Sequence, residues 1–134
     1  MYLLDTNICI YIINKRPANI VNKLNSLKPA DVKLSSISMA ELEYRIAKSA
    51  HKEQNRQALI EFSSAFDIIS FDDLDAQFYG EIKANLEKIE KIIGPYYYLQ
   101  IAAQAICRNL ILVTNNVKEF ERIPGLKLEN WSLA

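Results

Sequence analysis

One stretch decides the fold: Met1-Tyr2-Leu3-Leu4-Asp5-Thr6-Asn7, a short apolar run followed by a carboxylate, a hydroxyl and an amide. The apolar run predicts a buried strand, and the apolar residues at 8–13 predict a helix. Thr6 or Asn7 is expected to cap this helix, because a short side-chain oxygen accepts the free backbone N–H groups of the first turn. Asp5 then lies where the strand stops, at the edge of a parallel sheet where ligands bind. A metal-binding carboxylate and a helix-capping carboxylate both fit this position.

Length and composition indicate one domain with a substantial core. The chain has 134 residues, which fits a single domain spanning residues 1–134, and half of them are hydrophobic. The 16 basic and 16 acidic residues balance. This balance argues against a general binder of nucleic acid or of membrane surfaces, and it leaves room for an enzyme with a local basic patch.

Cysteine usage and the lack of targeting segments predict a cytoplasmic protein. Cys9 and Cys107 lie in apolar helical patterns and are expected to be free thiols in a reducing compartment. The sequence shows no signal peptide, and its longest apolar run is too short to cross a bilayer. We therefore expect no membrane partner.

Strand-like and helix-like segments alternate along the chain. Strands are predicted at 1–4, 32–37, 67–71, 110–113 and 126–128, and further helices at 18–27, 39–47, 57–66, 74–91, 98–109 and 117–122. Ser38 is the expected cap of the helix after the second strand, with Glu41 at capping-box spacing, and Asp72 or Asp73 is expected to cap the long helix. The alternation predicts an α/β fold with a mostly parallel sheet between helical layers.

Polar residues follow two of the predicted strands, as Asp5-Thr6-Asn7 and as Thr114-Asn115-Asn116. If these strands are neighbours, the two clusters meet in one crevice, and Glu41 can point to the same end. Carboxylates with amide and hydroxyl oxygens suit Mg²⁺ or Mn²⁺. Such ions generate a hydroxide nucleophile and neutralise charge on a phosphoryl oxygen. The one histidine, His51, lies in a polar junction, so nucleophilic serine or cysteine chemistry is not expected.

Several motifs together resemble the PIN-domain toxins of the VapC family. They are Leu-Leu-Asp-Thr-Asn at 3–7, Ser-Ile-Ser-Met-Ala-Glu-Leu at 36–42, Ile-Ala-Ala at 101–103, Leu-Val-Thr-Asn-Asn at 112–116 and Glu-Asn-Trp at 129–131. The resemblance covers essentially the whole chain. It implies a PIN-like three-layer α/β/α sandwich and a magnesium-dependent endoribonuclease of a type II toxin–antitoxin system. Members typically cut structured RNA such as tRNA or ribosomal RNA, form homodimers and are silenced by a cognate antitoxin.

The resemblance also implies roles for individual residues. Asp5 would be a metal ligand, and Glu41 would coordinate the ion or orient its activated water. Asn116 stands where related domains often place a fourth acidic or amide group. The residues expected to contact the substrate are Thr6, Arg45, Thr114 and Asn115.

One motif departs from the family pattern at a metal ligand. Family members usually read Ile-Gly-x-x-Asp-Leu-x-Ile-Ala, whereas this chain reads Ile-Gly-Pro-Tyr-Tyr-Tyr-Leu-Gln-Ile-Ala at 93–102. Counting back from Ile101 places the expected Asp at Tyr98, and counting forward from Gly94 places it at Tyr97. A phenol with a pKa of about 10 is neutral at pH 7, and it is a poor ligand for a hard ion. It is also much larger than an aspartate.

Arg45 is a second departure, because the family often has glycine there. Arg45 lies four residues after Glu41, a spacing at which the two side chains attract weakly on a helix. We therefore expect weak magnesium binding and impaired RNA cleavage. In the alternative reading, Arg45 points outward or contacts RNA phosphate, and Glu119 completes the site. A further alternative is a catalytically inactive PIN-fold module that still dimerises and binds its antitoxin.

Two surface features stay open at this point. The Tyr96–Tyr98 cluster either stacks on RNA bases or packs around the start of a helix. Lys83, on the outer face of the long helix, either is solvated or contacts RNA.

Overall fold

The strand Tyr2–Leu4 (β1) lies at the centre of a five-stranded sheet in the computed structural model, which describes residues 1–91 and 94–132. The other strands are Val32–Ser35 (β2), Asp67–Ile69 (β3), Ile111–Val113 (β4) and Leu128–Glu129 (β5). Their order is β3-β2-β1-β4-β5, and every neighbouring pair is parallel. The carboxyl ends of all these strands therefore share one edge of the sheet.

Helices connect the strands. Over the same described residues they are Thr6–Ile13 (α1), Ala18–Asn25 (α2), Ser36–Ala47 (α3), Lys52–Ser63 (α4), Asp73–Lys88 (α5), Tyr96–Cys107 (α6) and Val117–Phe120 (α7), with a 3-10 turn at Pro29–Asp31. None of these helices combines the length and the apolarity needed to span a bilayer.

Adjacent residues of β1 face two separate cores. Leu4 and Val113 pack in a core built with α1 to α4, whereas Leu3 and Leu112 pack in a core built with α5 to α7. All four side chains are fully buried. Because successive strand residues point to opposite faces, the sheet is covered on both sides. The predicted three-layer α/β/α sandwich with a parallel sheet is confirmed.

The helix caps predicted at Thr6 or Asn7 and at Ser38 are wrong. Helix α1 already begins at Thr6, and Asp5 occupies its N-cap position without a side-chain capping bond to any described residue. Strand β2 ends two residues earlier than predicted. Ser35 caps α3 by accepting the backbone N–H two residues further on at 3.0 Å. Ser38 lies buried inside α3, so it forms no capping box with the residue three positions later.

Other helix and strand boundaries also differ from the predicted ones, because of strand pairing in one case and a proline in another. Strand β3 ends at Ile69 rather than at residue 71, because its partner β2 ends at Ser35, which pairs with Ile69. Helix α6 begins at Tyr96 rather than at residue 98, because Pro95 takes the N-cap position and leads directly into the helix. Helix α4 begins at Lys52 rather than at residue 57, α5 runs to 88 rather than 91, and β5 covers 128–129 rather than 126–128.

The cap predicted at Asp72 or Asp73 is confirmed at Asp72, and it extends into a cluster that joins α5 to α6. Asp72 accepts the N–H of Asp75 at 3.1 Å, and Asp75 accepts the N–H of Asp72 at 2.9 Å. Oδ2 of the fully buried Asp75 also accepts from Arg108 at 3.1 Å and from Gln104 at 3.4 Å. Burial acts to raise the pKa of Asp75, but the hydrogen bonds from Asp72 and Arg108 outweigh it and hold this pKa below its usual value.

Candidate active site

Asp5 lies at the carboxyl end of the central strand with no exposed surface. Its backbone N–H donates to the carbonyl of Val113 at 2.9 Å, which extends the pairing of β1 with β4 by one residue. Oδ2 accepts a 2.7 Å hydrogen bond from Thr114 Oγ1. Oδ1 is buried and has no hydrogen-bond partner within the described ranges. A buried carboxylate with one unsatisfied oxygen is energetically costly, and a cation would relieve the cost.

The surroundings of Asp5 disfavour its charged form. Burial raises the pKa of Asp5, and the hydrogen bond from Thr114 offsets this only in part. The pKa of the Cys9 thiol is raised mainly by its own burial and, to a smaller extent, by the negative charge of Asp5. Cys9 and Cys107 are both free, as predicted, and Cys107 is only half-buried.

A hydrogen bond between two hydroxyls ties α1 to α3 beside Asp5. Thr6 Oγ1 donates to Ser38 Oγ at 3.0 Å, and both side chains are buried. Glu41 follows Ser38 by three residues on the same helix and is half-buried. The Thr6–Ser38 contact therefore fixes the part of α3 that carries Glu41. Sequence reasoning missed this contact because it assigned Ser38 to a helix cap.

The polar cluster after β4 meets the cluster after β1, as the sequence predicts. Besides donating to Asp5, Thr114 Oγ1 accepts the backbone N–H of Asn116 at 3.0 Å. Asn116 occupies the N-cap position of α7 and is half-buried. The side chain of Asn115 is exposed and donates to the Tyr11 hydroxyl at 2.9 Å. Thr114 thus touches the buried carboxylate, whereas Asn115 turns outward along α1.

Tyr97 and Tyr98 stand edge to face at the start of α6, with ring centroids 4.8 Å apart. Tyr98 also packs on the fully buried Phe120, at 5.3 Å between centroids. Burial, the Tyr98 hydroxyl and the negative charge of Glu41 raise the pKa of Tyr97 to about 12. Tyr97 is therefore a neutral phenol beside the second acidic residue of the site.

Glu119 holds the turn that leads into α6. Its Oε1 accepts the backbone N–H of Gly94 at 2.7 Å, across 25 residues of sequence. The carboxylate is half-buried. This bond fixes the position of the turn. It also occupies one oxygen of Glu119, the residue that the alternative hypothesis uses to complete the site.

Arg45 is exposed and does not pair with Glu41 among the ion pairs of the described residues. It borders a groove of about 190 Å³ between α1, α3 and α4. Six of its nine lining residues are apolar. Its lining residues include Ile10, Ile13, Leu42, Ile46, Ala58 and Leu59, with Asn14 and Asn55 beside Arg45.

The donor set does not match a divalent-metal centre. Within residues 1–91 and 94–132, no three histidine, cysteine, aspartate or glutamate side chains are grouped to hold an ion. Oδ1 of Asp5 suits a cation, and Glu41 offers a second carboxylate. At the start of α6, where the resemblance implies a metal-binding aspartate, the chain has the phenols of Tyr97 and Tyr98. Hard divalent ions favour carboxylate oxygens, and the described residues offer two carboxylates here, those of Asp5 and Glu41.

Comparison with known proteins identifies the family. Residues 2–126 match the family model described as PIN domain. The chain is 49% identical over 132 residues to Ribonuclease VapC2 of Rickettsia felis. It is 39% identical over 131 residues to the tRNA(fMet)-specific endonuclease VapC of Shigella flexneri. Each alignment covers 98% of this chain and 98% of the relative.

Solved structures agree with these sequence matches. The fold superposes with a TM-score of 0.90 on a structure of VapBC2 from Rickettsia felis bound to a DNA fragment from their promoter, at 49% identity over 97% of this chain and 98% of that chain. It superposes with a TM-score of 0.91 on DNA-bound VapBC from Salmonella typhimurium, at 38% identity over 97% of each chain. The resemblance predicted from the motifs is confirmed, and the chain belongs to the VapC family of PIN-domain proteins.

Proposed function

We propose that this chain is the ribonuclease toxin of a VapBC-type toxin–antitoxin pair, and that its RNA cleavage is impaired. Its relatives in Rickettsia felis and Shigella flexneri are named as a ribonuclease and as a tRNA(fMet)-specific endonuclease. Structured RNA, with tRNA tested first, is therefore the proposed substrate class. The impairment rests on one observation: Tyr97, whose pKa is raised partly by the negative charge of Glu41, packs against Tyr98 where the family pattern has an aspartate.

The electrostatics of the site support weak metal binding. PIN-domain ribonucleases generally use a divalent metal ion, and Mg²⁺ or Mn²⁺ is the proposed ion here. Asp5 and Glu41 are the proposed metal-binding and catalytic carboxylates, with Asn116 as a neutral contact. A phenol whose pKa lies at about 12 supplies no negative charge at pH 7. We therefore expect either ion to bind weakly and RNA to be cut slowly.

Residues around this acidic pair are proposed to contact the RNA. Thr114 orients Asp5 through its 2.7 Å hydrogen bond, and the exposed side chain of Arg45 is available to phosphate groups. Arg45 and Asn115, both exposed, are the proposed substrate-contacting residues. Thr6 and Thr114, which were expected to contact the substrate, are buried and bonded to Ser38 and Asp5, so their proposed role is to position the acidic site.

The groove beside Arg45 is the proposed docking site for the antitoxin. A groove lined by six apolar residues and one cation suits a segment that carries apolar side chains and a carboxylate. Ala58→Arg, which fills the groove, is expected to abolish copurification with the coexpressed antitoxin. Ala76→Arg, on the exposed face of α5, is the control and is expected to leave copurification intact. Copurification of the Ala58→Arg variant would overturn the docking site.

The impairment is tested by restoring an acid. Tyr98→Asp and Tyr97→Asp separate the two ways of counting the motif, and Tyr44→Asp, an exposed tyrosine on α3, is the control. Binding of Mg²⁺ and Mn²⁺ is measured by calorimetry, and tRNA cleavage is measured beside the Rickettsia felis relative. We expect one α6 variant to gain both metal binding and cleavage, and Asp5→Asn in that background to remove the gain. Family-like cleavage by the unchanged chain would overturn the impairment.

The second candidate function is that of a catalytically inactive PIN-fold module that still dimerises and binds its antitoxin. The phenols of Tyr97 and Tyr98 favour it as well. A module of this kind would capture antitoxin and show no cleavage even after an acid is restored. We also propose that the chain forms a homodimer, which light scattering on the antitoxin-free protein tests directly.

A further inference from the structure

The three consecutive tyrosines at the start of α6 have different environments. Tyr98 and Tyr97 are half-buried against each other, whereas Tyr96 is 70% exposed. Tyr97 and Tyr98 therefore contribute to packing at the start of α6, whereas the exposed ring of Tyr96 does not. Tyr96 directly precedes Tyr97, whose hydroxyl lies in the field of Glu41 and Arg45.

Lys83 on α5 is held against the Tyr96 ring. Its ammonium lies 4.6 Å from the centroid of Tyr96 and 5.7 Å from that of Tyr79. Lys83 forms no ion pair with a carboxylate in the part of the chain that the structure describes. Lys83 is half-buried between the two rings rather than fully solvated, which leaves contact with RNA as the open alternative. Its positive charge is thus fixed next to an exposed aromatic face.

We propose that Tyr96 and Lys83 form a base-stacking site for single-stranded RNA at the start of α6, directly before Tyr97. One face of the Tyr96 ring is covered by Lys83, and the high exposure of the side chain leaves the other face open to an unpaired base. The ammonium of Lys83 attracts the phosphate beside that base. Aromatic stacking combined with a nearby cation is how proteins hold unpaired nucleotides. The inference rests on the proposed function, because it assumes that RNA is the substrate.

The chain offers a matched control on another helix. Tyr44 on α3 is 60% exposed, and Lys48 lies 4.5 Å from its ring centroid. The pair has the same chemistry as Tyr96 with Lys83, but Tyr44 is not next to Tyr97 in the chain. If Tyr96 contributes to RNA binding and Tyr44 does not, the effect depends on where Tyr96 lies and not merely on its being an exposed tyrosine beside a lysine.

The test is RNA binding without cleavage. Fluorescence anisotropy is measured in EDTA with a labelled single-stranded oligonucleotide, a tRNA anticodon hairpin and a blunt RNA duplex. Tyr96→Ala is expected to weaken binding of the first two about tenfold, the size of one lost base stack. Tyr96→Phe, which keeps the ring, is expected to stay within about twofold of the unchanged chain, and Tyr44→Ala likewise. Lys83→Ala is expected to weaken binding and to reduce its salt dependence.

Each contrary result has a separate meaning. If the chain binds RNA and Tyr96→Ala binds it equally well, the stacking site is wrong and the proposed function stands. If Tyr96→Phe loses as much as Tyr96→Ala, the ring face is not what holds RNA, and the inference is overturned. If Tyr96→Ala weakens antitoxin binding instead, the patch contacts protein and the inference is also overturned. Failure of the unchanged chain to bind any of the three RNAs would overturn the proposed function together with the stacking site.

Discussion

Thr114 Oγ1 lies 2.7 Å from Oδ2 of Asp5 and donates a hydrogen bond to it across 109 residues of sequence. The same oxygen accepts the N–H of Asn116, while Oδ1 of Asp5 has no partner in the described structure. One hydroxyl group at the end of β4 therefore orients the carboxylate at the end of β1. Since both residues are buried, changing either one alters the free energy of unfolding.

Thr114→Val is expected to lower the free energy of unfolding by about 1–3 kcal/mol, because it leaves buried polar groups unpaired at almost unchanged volume. Urea unfolding at pH 7 measures the change. Thr114→Ser keeps the hydroxyl and is expected to lose only about 1 kcal/mol for the missing methyl group. A valine variant as stable as the unchanged chain would mean that the hydrogen bond to Asp5 contributes nothing.

Asp5→Asn is expected to raise the free energy of unfolding at pH 7 by about 1 kcal/mol, since it removes a buried charge while keeping an acceptor for Thr114. Burial raises the pKa of Asp5 in the folded state, so the ionised carboxylate is disfavoured there relative to the unfolded chain. The cost of the buried charge disappears as pH falls and the carboxyl group of Asp5 is protonated, so the unchanged chain becomes more stable relative to the variant. The advantage of the asparagine variant should therefore shrink between pH 7 and pH 4, as thermal unfolding would show.

Arg108→Met is expected to cost about 1–3 kcal/mol, because the fully buried carboxylate of Asp75 loses a charged donor at 3.1 Å. Arg56→Met is the control. Arg56 and Glu43 form a 2.6 Å pair in which both side chains are substantially exposed. Such pairs contribute about 0–1 kcal/mol. A larger loss for Arg56→Met than for Arg108→Met in chemical denaturation would contradict the assignment of Arg108 to a stabilising cluster.

The stability that Asp75 contributes should depend on pH in the acid range. Its folded-state pKa lies below the unfolded value of about 3.9, so the contribution is complete above that value and is lost as pH falls through the folded pKa. The unchanged chain is expected to be more stable than Asp75→Asn at pH 6, with the difference declining below about pH 4. A difference that stays constant from pH 6 to pH 3 would show that ionisation of Asp75 is not responsible.

Local patterns predicted the architecture because they act over short distances. Leu3 and Leu4 belong to a continuous apolar run, which is what a strand covered on both faces requires, and they do pack in opposite cores. The polar residues after β1 and β4 meet because parallel neighbours end at the same edge, as the contact between Thr114 and Asp5 shows. The cap at Asp72 was found for the same reason, since its partners lie within one turn.

Contacts between segments distant in sequence could not be predicted from local patterns. Ser38 has the spacing of a helix cap, yet it bonds to Thr6 across 32 residues, and Ser35 takes the cap instead. Arg108 reaches Asp75 across 33 residues without any local signal. The three adjacent tyrosines are alike in sequence, and only the packing of Phe120 and Lys83 around them distinguishes their environments.

The central position of β1 has a consequence for protein synthesis. Leu4 pairs with Val113, so β1 lacks one of its two neighbours until the ribosome has produced almost the whole β4 segment. Contacts so distant in sequence form late and slow the search for the native topology. Incomplete translation products that stop before Thr114 would carry Asp5 but not the hydroxyl that orients it. The assembled acidic edge should therefore appear only after the ribosome has produced β4 and the polar residues that follow it.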